Sequence, residues 1–173
     1  MTMKPADIIG MRGNSGWATD LVLKATRGEI SHVALVVCVE PLPIVIESVN
    51  PRVRTVPLDV AIADHSLVYL MKDLSLTPAE REDVVRAALR WSTYDYSFLN
   101  CAWPALDDLT KTRWFSQHLS SPNSPMCSWL VAESRKAIGK FFGQPAESTD
   151  PEDILRFAKQ HPTIFEVLKL RDA

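Results

Sequence analysis

The sequence lacks several features that would define its class at once. No apolar run in the 173 residues approaches the length that spans a bilayer, and the first seven residues carry no apolar core of a secretory leader. Lys and Arg, 19 residues against 21 Asp and Glu, form no basic cluster of the kind that binds nucleic acid. We therefore expect a cytoplasmic protein, or one exported without a cleaved leader, with no integral membrane segment and no nucleic-acid partner.

Cysteine is scarce, and its three positions show no framework spacing: Cys38, Cys101 and Cys127. An odd number of scattered cysteines argues against a disulfide scaffold and predicts free thiols. Three of the four histidines are scattered without metal-ligand spacing: His65, His118 and His161. We assign these three to surface or capping roles and expect neither a metal nor a cofactor.

The patterns that are present predict a single α+β domain over residues 1–173, with a mostly antiparallel sheet. The chain is long enough to bury a full core, and 46% of its residues are hydrophobic. Apolar and β-branched runs predict six strands, at residues 7–13, 31–39, 44–49, 52–58, 66–71 and 163–170. Pro57 favours an edge position for the fourth of these strands.

Capping signals predict the helices. Thr77-Pro78-Ala79-Glu80 is a capping box with proline at the first helical position, and Asp150 caps a helix that runs to about Lys159. A further helix is predicted from Ser15 to Arg27, closed by Gly28. Helical spacing after Thr77 predicts a core face made of Val84, Val85, Ala88, Leu89 and Trp91. The charged residues of that helix are assigned to its solvated side: Glu80, Arg81, Glu82, Asp83 and Arg86.

Two stretches allow alternatives. The glycines at 10, 13 and 16 suggest a phosphate loop, but no Gly-Lys-Ser/Thr follows them, so a turn after the first strand is favoured. Residues 93–125 are rich in aromatics and turn formers. They predict either a lid or pocket wall, or a long connecting segment that packs over the core and contains a short helix at about 106–118.

A thiol lies where a loop turns into a helix. Ser124 is predicted as the N-cap and Pro125 as the first helical residue, which places Cys127 in the first turn. Unpaired N–H groups and the positive end of the helix dipole favour a thiolate there, and they could also hold an oxyanion. The alternative is an ordinary packed cysteine.

A histidine and a glutamate face each other in a predicted hairpin. If the turn centres near residues 40–41, His32 and Glu47 are opposite or diagonal, close enough for their side chains to meet. A slip of one residue would separate them, leaving a surface histidine and an edge charge.

Four segments carry a family resemblance: 28–36, 45–49, 94–96 and 127–131, in scattered motifs over roughly residues 7–155. Taken together, they resemble the permuted NlpC-type papain-fold proteins, closest to the YiiX-like branch and more distantly lecithin:retinol acyltransferase. The resemblance implies that Cys127 is the nucleophile, His32 the base and then the acid, and Glu47 the group that orients the imidazole. It also implies a substrate-contact role for Tyr94, Asp95 and Tyr96, with Asp95 as the rival to Glu47. Trp129 stands where the family usually has a glutamate, and it is assigned to apolar surface that contacts substrate.

We expect a cysteine hydrolase or acyltransferase that forms a thioester acyl-enzyme. The resemblance implies either peptide, isopeptide or bacterial wall-peptide amides, or lipid acyl esters. Aromatic residues that could line an acyl channel favour esters: Trp103, Trp114, Phe115 and Trp129. The alternative hypotheses are a non-catalytic binding module that keeps the fold and, on the glycines alone, an NTP-binding protein. No pattern indicates an oligomeric state.

Overall fold

The computed structural model describes residues 2–13, 23–24, 26–49, 52–92 and 126–171. Within them lies a six-stranded sheet of order β4-β3-β2-β1-β5-β6, in which every neighbouring pair is antiparallel. The strands are β1 (Ile8–Gly13), β2 (His32–Cys38), β3 (Ile44–Val49), β4 (Arg52–Pro57), β5 (His65–Asp73) and β6 (Phe165–Arg171). All six predicted strands are therefore confirmed, and β4 lies at an edge, as its proline indicates.

Four α-helices accompany the sheet in the described part of the chain: α1 (Leu58–Ala61), α2 (Pro78–Leu89), α3 (Cys127–Lys136) and α4 (Pro151–Gln160). A 3-10 turn, Ala146–Ser148, precedes α4. Both predicted caps are present as reciprocal boxes, Thr77 with Glu80 and Asp150 with Asp153. None of the helices described is long and apolar enough to cross a membrane.

Apolar side chains cover both faces of the sheet. On one face, Leu35 and Ile46 belong to a cluster with Leu130 of α3 and Leu155 of α4. On the other face, Ala34, Val36, Val45 and Leu70 cluster with Leu58 and Ala61 of α1. Helix α3 therefore packs against one face of β2 and β3, and this determines where its first turn meets the sheet.

The predicted faces of α2 need correction. Arg81, which we assigned to solvent, is buried, because its Nη1 atom lies 2.9 Å from Asp7 Oδ1 and also donates to the carbonyl of Pro5. Leu89, which we assigned to the core, is 42% exposed. A buried cation is tolerated here because a carboxylate and backbone carbonyls satisfy its donors.

The predicted glycines also need comment. Gly10 and Gly13 lie within β1, and the turn predicted after this strand lies, with Gly16, outside the described residues. Arg27, not Gly28, takes the left-handed conformation, with φ of 51°. Gly28 is required for another reason, since a Cβ there would lie 2.6 Å from the carboxylate of Glu152. Residues 14–22, 25 and 93–125 are not described, so the body of the first predicted helix and the lid stay predictions.

Candidate active site

Cys127 is the first residue of α3 and lies against the apolar cluster that includes Leu130. Met126 occupies the N-cap position, two residues after the predicted Ser124, so the helix begins at Cys127 and not at Pro125. No side chain caps the first turn, and the sulfur instead accepts hydrogen bonds from the backbone N–H groups of Val33 and Ser128. The thiol is thus both packed in the core and held at the positive end of a helix.

His32 and Glu47 meet as the hairpin predicted. Ala34 is the direct partner of Glu47, so His32 is diagonal to Glu47 across β2 and β3. His32 Nε2 lies 2.9 Å from Glu47 Oε2, and the Glu47 side chain is 1% exposed. The imidazole also interacts directly with Cys127.

The thiol and the imidazole meet past the end of a strand. Alternation places His32 and Glu47 on the sheet face of Ala34 and Val45, opposite the face on which α3 packs. His32 is the first residue of β2, and the Val33 N–H reaches the sulfur, so the start of α3 lies beside the start of β2. Cys127 and His32 can therefore meet because each is the first residue of its element, α3 or β2, and these two starts are adjacent.

Glu152 fixes the segment that leads into β2. Its Oε2 atom accepts hydrogen bonds from the backbone N–H groups of Glu29, at 2.6 Å, and Ile30, at 3.3 Å. Glu152 lies in the first turn of α4 and is buried. The missing Cβ of Gly28 makes room for this carboxylate. Helix α4 therefore holds the chain two residues before His32.

The protonation states of the site are coupled. Burial alone lowers the pKa of His32, but the charge and hydrogen bond of Cys127 and those of Glu47 raise it to about 10. Burial raises the pKa of Cys127, and the imidazole together with the N–H groups of Val33 and Ser128 outweighs this and lowers it. These directions favour an imidazolium and thiolate pair over a neutral imidazole and thiol.

Arg54 extends this set of charges, and we did not predict it. Its Nε and Nη2 atoms lie 2.8 Å and 2.7 Å from Glu47 Oε1, the oxygen that His32 does not use. Burial raises the pKa of Glu47, but the hydrogen bonds and charges of His32 and Arg54 lower it below its ordinary value. Arg54 is the cross-strand partner of Glu47 in a second hairpin, so pairing β3 with β4 in the sequence would have found it.

His65 also lies beside the site. We expected it at the surface or in a cap, yet its ring stacks on that of His32, with centroids 6.0 Å apart and planes 22° from parallel. Its Nδ1 atom is buried and has no hydrogen-bond partner among the described residues. Burial and the charge of His32 lower the pKa of His65, which favours a neutral ring.

Of the remaining predicted site residues, Trp129 alone lies in the part of the chain that the structure describes. Trp129 packs edge-to-face on Trp91 of the turn after α2, with centroids 4.8 Å apart. Tyr94, Asp95 and Tyr96 lie outside the described residues, so their substrate-contact role stays a prediction. The described ranges contain no group of three His, Cys, Asp or Glu side chains that could hold a metal ion.

Comparison with known proteins supports the fold. No protein-family model and no curated protein matches the chain. The chain is similar to the crystal structure of the metalloprotein yiiX from Escherichia coli O157:H7, with a TM-score of 0.65 and 21% identity over 82% of this chain and 70% of that chain. At this identity the likeness shows a shared fold, which agrees with the predicted α+β class and the YiiX-like resemblance.

Proposed function

We propose that the protein is a cysteine hydrolase or acyltransferase with a permuted papain-like arrangement of the NlpC type. One observation carries this proposal: the imidazole of His32 lies between the carboxylate of Glu47 and the sulfur of Cys127. An attacking thiolate needs a proton carrier beside it and a polar group that fixes the carrier's orientation. The arrangement supplies both, in a site where the sulfur is favoured as the anion.

The first step forms a thioester. The Cys127 sulfur attacks the carbonyl carbon of an amide or ester, and the negative charge moves to the carbonyl oxygen. The backbone N–H groups at the start of α3 have no intrahelical partner and can donate to that oxygen. The carbon's bond to the leaving nitrogen or oxygen then breaks while His32 gives the departing group a proton.

The second step releases the acyl group. The now neutral His32 takes a proton from water, or from an acceptor alcohol or amine, as its oxygen or nitrogen attacks the thioester carbonyl. The carbon–sulfur bond breaks, and the thiolate returns beside the imidazolium. Glu47 keeps the imidazole in the orientation that both transfers need.

The solved relative yiiX is described as a metalloprotein. A metal would require several ligands converging from His, Cys, Asp or Glu, and no such group of three exists among the described residues. No step of the proposed reaction is routed through a metal.

We further propose that the reaction takes place in the cytoplasm.

Two substrate classes are proposed: peptide or isopeptide amides, wall peptides included, and lipid acyl esters. Both classes pass through a thioester on Cys127, so the mass of the trapped acyl group distinguishes them. Amide substrates would leave a peptidyl adduct, and esters a fatty-acyl adduct.

Intact-protein mass spectrometry after an acid quench tests the proposal. The protein is incubated separately with peptide anilides and with p-nitrophenyl fatty-acyl esters. We expect a covalent adduct from one panel that is lost in Cys127→Ala and kept in Cys38→Ala, the matched control. If neither panel gives an adduct or turnover, the proposed chemistry is contradicted. The non-catalytic binding module would then be favoured.

A further inference from the structure

Arg54 occupies the outer end of a line of four interacting groups. The line runs from Cys127 through His32 and Glu47 to Arg54, and each neighbour is in direct contact. Two of the contacts to Arg54 converge on one oxygen, Glu47 Oε1, at 2.8 Å and 2.7 Å. A planar guanidinium can supply two such donors from one side, whereas an ammonium cannot.

The charges of this line balance only if Arg54 is included. The reactive state holds a thiolate, an imidazolium and a carboxylate, which together carry one negative charge. The Cys127, His32 and Glu47 side chains are all largely buried, and Glu47 is 1% exposed. An unbalanced buried charge is costly, and a group in that position tends to take up a proton instead. Arg54 brings the sum to zero.

Glu47 has two acceptor oxygens with separate tasks. Oε2 contacts His32 Nε2, and Oε1 is held by Arg54. Protonation of Glu47 would remove the negative charge that supports the imidazolium, and with it the partner of the thiolate. Rotation of the carboxylate would have the same effect, because Oε2 would leave His32. A cation fixed on Oε1 opposes both changes.

We propose that Arg54 is a positioning residue of this site, which keeps Glu47 ionised and oriented so that the imidazolium and thiolate pair persists to lower pH. This inference rests on the proposed cysteine chemistry. The charged or titratable groups that face Glu47 are His32 from β2, Arg54 from β4 and His65 from β5, and Cys127 from α3 interacts with His32. Arg54 is 43% exposed, so solvent screens part of its effect.

The same strand offers a matched control. Arg52 lies two residues before Arg54 on β4, is exposed and pairs with Val49 instead of Glu47. Arg52→Gln removes the same charge from the same strand without touching the carboxylate. Arg54→Lys keeps the charge and removes the two-donor geometry.

The experiment measures the rate of Cys127 alkylation by iodoacetamide from pH 4 to pH 10 in the Cys38→Ala, Cys101→Ala background, on the order of one point per half pH unit. The acid limb of the profile is the pH range in which the alkylation rate rises as Cys127 loses its proton. We expect Arg54→Gln to move this limb to higher pH by about one unit, so that at a given pH within the limb the rate falls about tenfold. Arg54→Lys should move it by less, and Arg52→Gln should coincide with the parent. Circular dichroism confirms folding of each variant.

The outcomes separate the two proposals. A parent protein whose thiol titrates like free cysteine contradicts the proposed function, whatever the variants do. A parent with a low acid limb and an Arg54→Gln profile identical to it overturns the role of Arg54 alone. If Arg54→Gln does not fold, Arg54→Lys decides: an upward shift supports the role, and coincidence with the parent overturns it.

Discussion

Two lines of interacting charged residues lie in this fold, and they serve different ends. The site line joins Cys127, His32, Glu47 and Arg54. The second line, which we call the anchor line, consists of Asp7, Arg81, Asp73 and Arg135. In it Arg81 Nη1 lies 2.9 Å from Asp7 Oδ1, and Arg135 Nη2 lies 2.7 Å from Asp73 Oδ2.

The anchor line ties together elements that are distant in the chain. Arg81 also donates to the backbone carbonyl of Asp73, so α2 is fixed to the end of β5. Arg135 of α3 lies 4.8 Å from the centroid of the Phe142 ring and 4.9 Å from that of Phe165. The helix that carries Cys127 is thereby held at its far end.

The difference lies in which groups can exchange a proton. The anchor line contains only carboxylates and guanidiniums, and its contacts hold elements of the fold together. Imidazole and thiol can pass a proton between them, so the site line can do acid-base chemistry. Paired charges are therefore structural in the anchor line and reactive in the site line.

The largest effect on stability should come from the anchor line. Asp73→Asn leaves Arg135, which is 3% exposed, without its counter-ion. We expect the free energy of unfolding to fall by about 3 kcal/mol, as for other broken buried pairs. Urea denaturation measures it, with Asp83→Asn as the control, because Asp83 and its partner Arg86 are both more than half exposed, at 52% and 63%.

In that variant the pH profile of Cys127 alkylation should stay unchanged wherever the protein is folded. A shift of the profile in Asp73→Asn would show that the two lines are coupled, and the division drawn between them would be wrong. An unfolding free energy equal to that of the parent would contradict the anchoring role.

The next largest effect should come from Glu47→Gln, which keeps the shape of the side chain and removes its charge. The imidazolium then loses a partner, so the pKa of His32 should fall from about 10. We expect kcat/KM to drop roughly 10- to 100-fold, which corresponds to about 1.4 to 2.7 kcal/mol. Kinetics and NMR titration of His32 measure the two effects.

Glu166→Gln provides the control, since Glu166 is 47% exposed and pairs with Lys72 at the surface. Full activity in Glu47→Gln, with His32 titrating as in the parent, would show that Glu47 is only a structural neighbour. Asp95 would then become the leading third member.

The smallest effect should come from His65. His65→Ala removes the ring that stacks on His32, and we expect the alkylation rate at neutral pH to fall about two- to tenfold, the range of one aromatic contact. His65→Phe keeps a flat ring and should stay within about twofold of the parent. Equal losses in both variants would mean that the imidazole of His65 acts by its nitrogen atoms and not by stacking.

Much of this fold could be predicted because the deciding signals are local. The two capping boxes each lie within four consecutive residues, and the helices begin where those boxes place them. The contact between His32 and Glu47 could be predicted as well, because a short hairpin leaves few possible registers.

The features we missed depend on partners that are remote in sequence. Arg81 is buried only because Asp7, 74 positions earlier, lies beside it. His65 meets His32 across the intervening strand β1, next to an irregularity at Gly13 that no local pattern marks. The pairing of Cys127 with His32, 95 positions apart, came from the family resemblance and not from spacing.

The most direct test of the account is the pH dependence of Cys127 alkylation in the parent protein and in His32→Ala. Below the lowered pKa of Cys127 the thiol is protonated and unreactive. Between that value and about pH 10 the imidazolium and thiolate pair reacts, and above it the thiolate faces a neutral imidazole. We predict an acid limb well below the ordinary thiol value of 9.0, absent in His32→Ala. Alkylation that titrates near 9.0 and is identical in both proteins would contradict the account.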